Sequence, residues 1–271
     1  MPMTHDPNAS PDQARARPRG RGIYLLPNLF TTAVLFSGFY AIVAATDVNF
    51  DRAGIAIFIA MVCDGLDGRI ARWTNTQSDF GKEYDSLSDM VAFGLAPAVV
   101  AYQWGVARIA EYGAVWGRLG WLATFFYAAC AAFRLARFNA RAAGADKRYF
   151  EGLPSPSGAA LLAGFVWMLA DLEREGLRAL ILAFAVALIA GGLMVSRFPY
   201  LSGKDFNLHR RIPFAMLLLV PLGFVIVGSS PPEMLFGLFA IYALSGPFVW
   251  AWRRATRGRR QPRQPGTGTH P

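Results

Sequence analysis

The chain has 271 residues, 54% hydrophobic and only 17% charged, with a net charge of +9 and a mean hydropathy of +0.30. A soluble domain carries roughly 25% charged residues, so this chain is short of the polar surface it would need in water, and the same composition excludes disordered, collagen-like and coiled-coil classes. Cys63 and Cys130 lie in apolar runs, and His5, His209 and His270 are far apart. A disulfide framework, a zinc site and most histidine-based chemistry are therefore disfavoured. The 27 Gly and 21 Phe suit a polytopic membrane protein, in which Gly lets helices approach closely.

A spanning helix needs about 20 mostly apolar residues. Residues 1–22 are polar and rich in Pro and Arg, and read as a disordered tail preceding an uncleaved first span. Spans are then expected at 25–46, 53–73, 85–106, 118–138, 156–172, 177–196, 212–229 and 232–252. The fifth is short, and the third opens with two aspartates inside it. Residues 73–84 read as the connection that turns the chain between the second and third spans. Residues 253–271 form a second basic tail. The expected fold class is an all-α polytopic membrane protein of about eight transmembrane helices.

Orientation follows from the Lys and Arg content of alternate loops. With a cytoplasmic N-terminus, 22 of the 27 basic residues fall inside, from Arg15, Arg17, Arg19 and Arg21 to the six arginines between Arg253 and Arg263. The outside keeps Arg52, Arg108, Arg118, Arg174 and Arg178. Both termini are thus expected in the cytoplasm. The positive charge is explained by topology and anionic lipid headgroups. Nucleic acid is a poor reading, because the basic residues are split among separate loops.

One stretch, residues 63–94, breaks the rules of a membrane helix. It puts Asp64, Asp67, Asp85 and Asp89 into or beside apolar spans, where each charge is costly. Asp64 and Asp67 are three apart and Asp85 and Asp89 four apart, so each pair occupies one helix face. A turn between the spans lets the two acidic faces meet. Four converging carboxylates repel unless cations neutralise them. An all-oxygen donor set suits a hard divalent cation, Mg²⁺ or Mn²⁺. A proton or cation relay in a transporter uses similar aspartate pairs and stays open at this point.

The pattern Asp64-x-x-Asp67-Gly68-x-x-Ala71-Arg72, eight residues, Gly81-x-x-x-Asp85-x-x-x-Asp89 resembles the signature of the CDP-alcohol phosphotransferase family. Further words resemble the membrane-embedded bacterial phosphatidylserine synthases within it. These are Pro27-Asn28-Leu29-Phe30-Thr31, the run Phe80 to Asp89, and Phe93-Gly94-Leu95-Ala96-Pro97-Ala98. Arg134-Leu135-Ala136-Arg137-Phe138-Asn139 and the stretch Gly152 to Ala160 belong with them. The resemblance covers roughly residues 24–205. It implies a catalytic six-helix membrane domain over residues 23–211, with the two helices of 212–252 as an addition.

The resemblance also implies a reaction, in which the hydroxyl of L-serine attacks the lipid-linked phosphorus of CDP-diacylglycerol and CMP leaves. Two divalent cations would be held by Asp64, Asp67, Asp85 and Asp89, and Asp89 would also serve as general base. Arg72 would pair with a phosphate, while Gly68 and Ala71 leave room for the cytidine. Ser78, Gly81, Asn28 and Thr31 match positions near the nucleotide. For the acceptor, the implied choice is Arg137 with Asn139; Arg134 is equally unusual at the end of a span, and either arginine can instead snorkel to headgroups. The implied setting is the bacterial cytoplasmic membrane with the site facing the cytoplasm. A homodimer is compatible with the resemblance, although no residue pattern points to one. A related synthase using glycerol phosphate or inositol phosphate would share the whole aspartate signature. The phospholipase-D-like mechanism is excluded, because no His is followed two places on by Lys.

Overall fold

The computed structural model describes residues 25–74, 78–141, 149–174, 176–201, 225 and 227–257. Helices dominate these residues. In chain order they are α1 (Leu25–Thr46), α2 (Phe50–Thr74), α3 (Asp79–Asp89), α4 (Ala96–Ala101), α5 (Ala114–Arg141), α6 (Ser155–Asp171), α7 (Leu177–Val195) and α8 (Pro231–Arg257). Each expected span with described residues throughout corresponds to helix. Of the seventh, 212–229, only 225 and 227–229 are described, and both tails beyond the helices lie outside the described residues.

Four of these helices contain segments long and apolar enough to cross a membrane: Asn28–Thr46, Ala114–Ala140, Leu177–Val195 and Pro231–Thr256. Their outward faces carry large apolar side chains such as Phe36, Phe125, Ile189 and Ile241, the surface expected against lipid rather than water. α6 differs. Only 17 residues long, it is buried almost all round, from Ser155 to Leu169, and packs against α2, α4, α7 and α8. A helix apolar on every face belongs in the middle of a bundle. Gly54 permits one close crossing, since a Cβ there would meet the Trp167 ring of α6 at 3.0 Å.

The third span begins earlier than its hydropathy suggests. Ser78 caps α3 by accepting the Gly81 N–H at 3.0 Å, and Asp79 sits in the first turn. The helix therefore starts at Asp79 rather than Asp85. The expected connection over 73–84 contracts to the few residues between Thr74 and Asp79.

After α3 the helix widens into a π segment, Met90–Leu95, before α4, and again at Tyr102–Val106. Pro97 has no N–H, so the carbonyl of Phe93 lacks its ordinary α-helical donor. The Tyr127 hydroxyl of α5 donates to that oxygen at 2.9 Å. Ala92, in the same segment, lies against Gly38 of α1, where a Cβ would come within 2.6 Å of the Ala92 Cα.

Two short strands, β1 (Tyr149–Glu151) and β2 (Pro199–Leu201), add an antiparallel ladder that the all-helical reading lacks. It ties the entrance of α6 to the exit of α7. Tyr200 is wholly buried, donates its hydroxyl to the Ala243 carbonyl at 2.9 Å, and rests on Gly246. The strand pair thereby docks on α8.

Candidate active site

The aspartates of α2 stand on one stripe. Positions 64, 67, 68 and 71 are spaced three and four apart, so Asp64, Asp67, Gly68 and Ala71 share a helix face. Ser78, Gly81, Lys82, Asp85 and Asp89 make the corresponding stripe at and along α3. The short connection brings the two stripes together. Oxygens of Asp64, Asp67 and Asp85 lie within 4.8 Å of one another. Asp89, one turn further along the chain from Asp85, lies outside this group of three, but its charge interacts with all three.

Asp67 is the most enclosed of the triad and receives the Thr31 hydroxyl at 3.1 Å. Thr31 thus orients a carboxylate as well as facing the cavity. The Oδ1 atoms of Asp85 and Asp89 are buried without a hydrogen-bond partner. Buried carboxylate oxygens are costly unless something positive meets them. The triad can bind a metal ion: an all-carboxylate cluster with orphaned oxygens fits a hard divalent cation.

A cavity of about 450 Å³ opens beside the triad. Its wall includes every residue assigned from sequence to the nucleotide: Asn28, Thr31, Gly68, Ala71, Arg72, Ser78 and Gly81. Gly68 has no atom within 4 Å of where its Cβ would be, so its missing side chain is cavity space. Gly81 is tighter; a Cβ would sit 3.1 Å from Ser78 Oγ and 3.5 Å from Asn28 Oδ1. Two wall residues were missed in the sequence, Asp79 and Lys82. Lys82 was legible in principle, since it lies three residues before Asp85 on the same face.

Arg137 and Asn139 are placed differently. The terminal nitrogens of Arg137 donate to four backbone carbonyls: Val195 at 2.9 Å, Glu151 at 3.0 Å, and Met194 and Ser196 at 3.3 Å. This clips the end of α7 to β1. Gly152, at φ +83°, completes the clip, because a side chain there would collide with the Met194 and Ser196 carbonyls. Asn139 donates to Ser86 Oγ at 2.8 Å and so braces α5 against α3 between Asp85 and Asp89. Arg134, one turn before, takes the inward face of α5 and its charge acts on Asp64 and Asp89.

The family model described as CDP-alcohol phosphatidyltransferase matches residues 24–192. The chain belongs to this family. It is also similar to proteins named CDP-diacylglycerol–serine O-phosphatidyltransferase. One, from Helicobacter pylori, is 35% identical over 232 residues, covering 84% of this chain and 92% of the relative. One from Mycobacterium tuberculosis is 31% identical over 87% of this chain and 77% of its own length. One from Methanocaldococcus jannaschii is 33% identical over 70% and 80%. The Helicobacter alignment is too long to end at residue 192, so the likeness to that relative continues into the later part of the chain.

Proposed function

We propose that this chain transfers the phosphatidyl group of CDP-diacylglycerol to the hydroxyl of L-serine, giving phosphatidylserine and CMP. The observation that carries the reading is the meeting of the two stripes. The family's aspartates converge on orphaned oxygens beside a cavity walled by all the nucleotide-side residues, in a chain whose serine-using relatives align over most of its length.

Asp64, Asp67, Asp85 and Asp89 are the residues that would hold divalent cations, Mg²⁺ or Mn²⁺, two per site. Bound there, such ions neutralise charge on the diphosphate and on the leaving phosphate. The chain's own groups do the rest. Arg72, Lys82, Asn28 and Ser78 hold the nucleotide diphosphate against the α3 end of the cavity. Asp89 takes the proton of the serine hydroxyl. The serine oxygen forms the new bond to the phosphatidyl phosphorus as the bond to the CMP oxygen breaks, and CMP leaves with its electron pair.

The site opens to the cytoplasm in this reading, with both termini on the same side of a bacterial inner membrane. The distribution of Lys and Arg supports it. Reporter fusions at residues 175 and 230 should report the outer side; a cytoplasmic signal at either overturns the topology. The decisive assay uses purified protein in detergent with CDP-diacylglycerol, Mg²⁺ or Mn²⁺, and serine, glycerol phosphate or inositol phosphate. CMP release with serine alone is the expected result. Release with a phosphorylated acceptor instead overturns the acceptor, and release with none overturns the transferase.

A further inference from the structure

Helix α8 and strand β2 both lie beyond the segment matched by the family model. Pro247 stands inside α8 and has no N–H, so the Ala243 carbonyl lacks its ordinary helical donor. The Tyr200 hydroxyl of β2 fills that oxygen at 2.9 Å. Two residues before Tyr200, Phe198 meets the Trp250 ring edge-on, with centroids 5.5 Å apart. The C-terminal half of α8 is thus fixed to the strand pair at two points, about two turns apart.

From Met234 to Trp252, 19 residues, α8 carries no charged side chain. That run spans about 28 Å, close to the thickness of a bilayer core. Arg253 and Arg254 follow at once, both exposed, and Arg257, Arg259, Arg260 and Arg263 come after them in the sequence. The Arg254 guanidinium lies over the Trp250 ring, 5.3 Å from its centroid. Arg197, also exposed, adjoins Phe198 in the chain. A guanidinium stacked on an indole commits its face and keeps a planar edge of donors, the edge that matches phosphate. Phe198 holds the indole in turn, so the stack is set before any ligand arrives.

We propose that Arg254 on Trp250, with Arg197 beside Phe198, binds the phosphate of an anionic phospholipid headgroup at the charged end of α8. The occupant is a lipid, because the cations end a run of membrane length and stand beside the exposed rings of Phe248 and Trp252. None of these residues lines the cavity beside the aspartates, so the site is a second one and does not rest on the transferase reading. Its occupant would pin α8 to the strand pair. The Phe198 carbonyl accepts the Gly152 N–H at 2.9 Å, which carries the same bracing to the start of α6.

The test melts the full-length protein in detergent with added phosphatidylglycerol, phosphatidylcholine or inorganic phosphate. Phosphatidylglycerol at saturation should raise Tm by about 5 °C. The other two should raise it by less than about 1 °C. The dependence on phosphatidylglycerol concentration gives an apparent affinity. Arg254→Gln should weaken it about 10–100-fold, the loss of a charged hydrogen-bonded contact. Arg253→Gln removes an exposed charge one residue away and should weaken it no more than about fivefold, the weight of one cation near an anionic surface. Arg254→Lys keeps the charge without the planar edge; it should still lose more than Arg253→Gln, and it serves if the Gln variant does not fold. Cation-dependent CDP binding should stay within about twofold of wild type in both Arg254 variants, as for a site apart from the aspartates.

Equal losses at Arg253 and Arg254 would reduce the patch to diffuse charge and overturn the proposal. So would the same rise in Tm with phosphatidylcholine, or with inorganic phosphate in place of lipid. A matching fall in CDP binding would merge the patch with the aspartate site and overturn it as well. No arm uses serine or CMP release, so a failed transferase reading would show in its own assay and not in this one.

Discussion

Tyr127 donates its wholly buried hydroxyl to the carbonyl of Phe93, the oxygen whose ordinary helical donor is lost at Pro97. The bond closes the π segment that starts directly after Asp89. A widened turn shifts the phase of everything that follows it, so Asp89, the proposed base, sits at a junction whose geometry Tyr127 holds from the neighbouring helix. Tyr127→Phe removes this buried bond, at a cost of about 1 kcal/mol. The expected outcome is a lower Tm in detergent together with reduced turnover. Wild-type values for both would show that the bond does not hold the junction.

Metal dependence follows from the donor set. Asp64, Asp67 and Asp85 gather carboxylate oxygens with no His or Cys among them, and two buried oxygens of the site have no protein donor. CMP release should cease after dialysis against EDTA and return with Mg²⁺ or Mn²⁺. Melting in EDTA separates two effects: the apo protein should melt lower than the cation-loaded one, because a ligand that binds only the folded state stabilises it. Full turnover in excess chelator would contradict the assignment.

Two glycines separate cavity from core. Gly68 faces open cavity space, whereas Gly38 lies against the backbone of Ala92. Gly68→Ala should keep or raise Tm, since Ala is favoured over Gly inside a helix by about 1 kcal/mol. It should weaken cation-dependent CDP binding by about tenfold or more, the scale of steric overlap in a packed site. Gly38→Ala should do the reverse, costing about 1–3 kcal/mol of stability while the folded fraction binds CDP normally. The two variants measured side by side check both assignments, and matching losses in both would refute the division.

The aspartate faces and most of the cavity wall were legible in the sequence, because spacings of three and four place residues together in any helix. The start of α3 was not. Hydropathy sees Phe80–Tyr84 as a polar interruption, and only the Ser78 cap extends the helix back to Asp79. That Arg134 takes the inward face of α5 while Arg137 binds the end of α7 needed the phase of α5, which the burial of Tyr127 and Ala131 sets and a span boundary does not. The docking of β2 on α8 carried no local signal at all. It is a contact between segments far apart in the chain, made through Tyr200.

The sharpest prediction separates Asp89 from Asp64 and Asp67. All are proposed metal ligands, so replacing any of them with Ala should cut turnover severely. Only Asp89 is also assigned the acceptor proton. It lies outside the group of three and has a buried oxygen without a partner, while Asp67 borders the cavity. Asp89→Asn keeps an oxygen donor and the side-chain shape but cannot accept a proton at neutral pH. Cation-dependent CDP binding should therefore stay near wild type while turnover falls by about 10²–10⁴, the usual contribution of a general base. Asp64→Asn and Asp67→Asn should instead weaken CDP binding itself, because those carboxylates share the α2 stripe with Gly68 and Ala71. Binding and turnover measured on the same preparations decide the matter. If Asp89→Asn keeps more than about a tenth of wild-type turnover, or loses CDP binding as fully as Asp64→Asn, then Asp89 is a ligand and the base lies elsewhere.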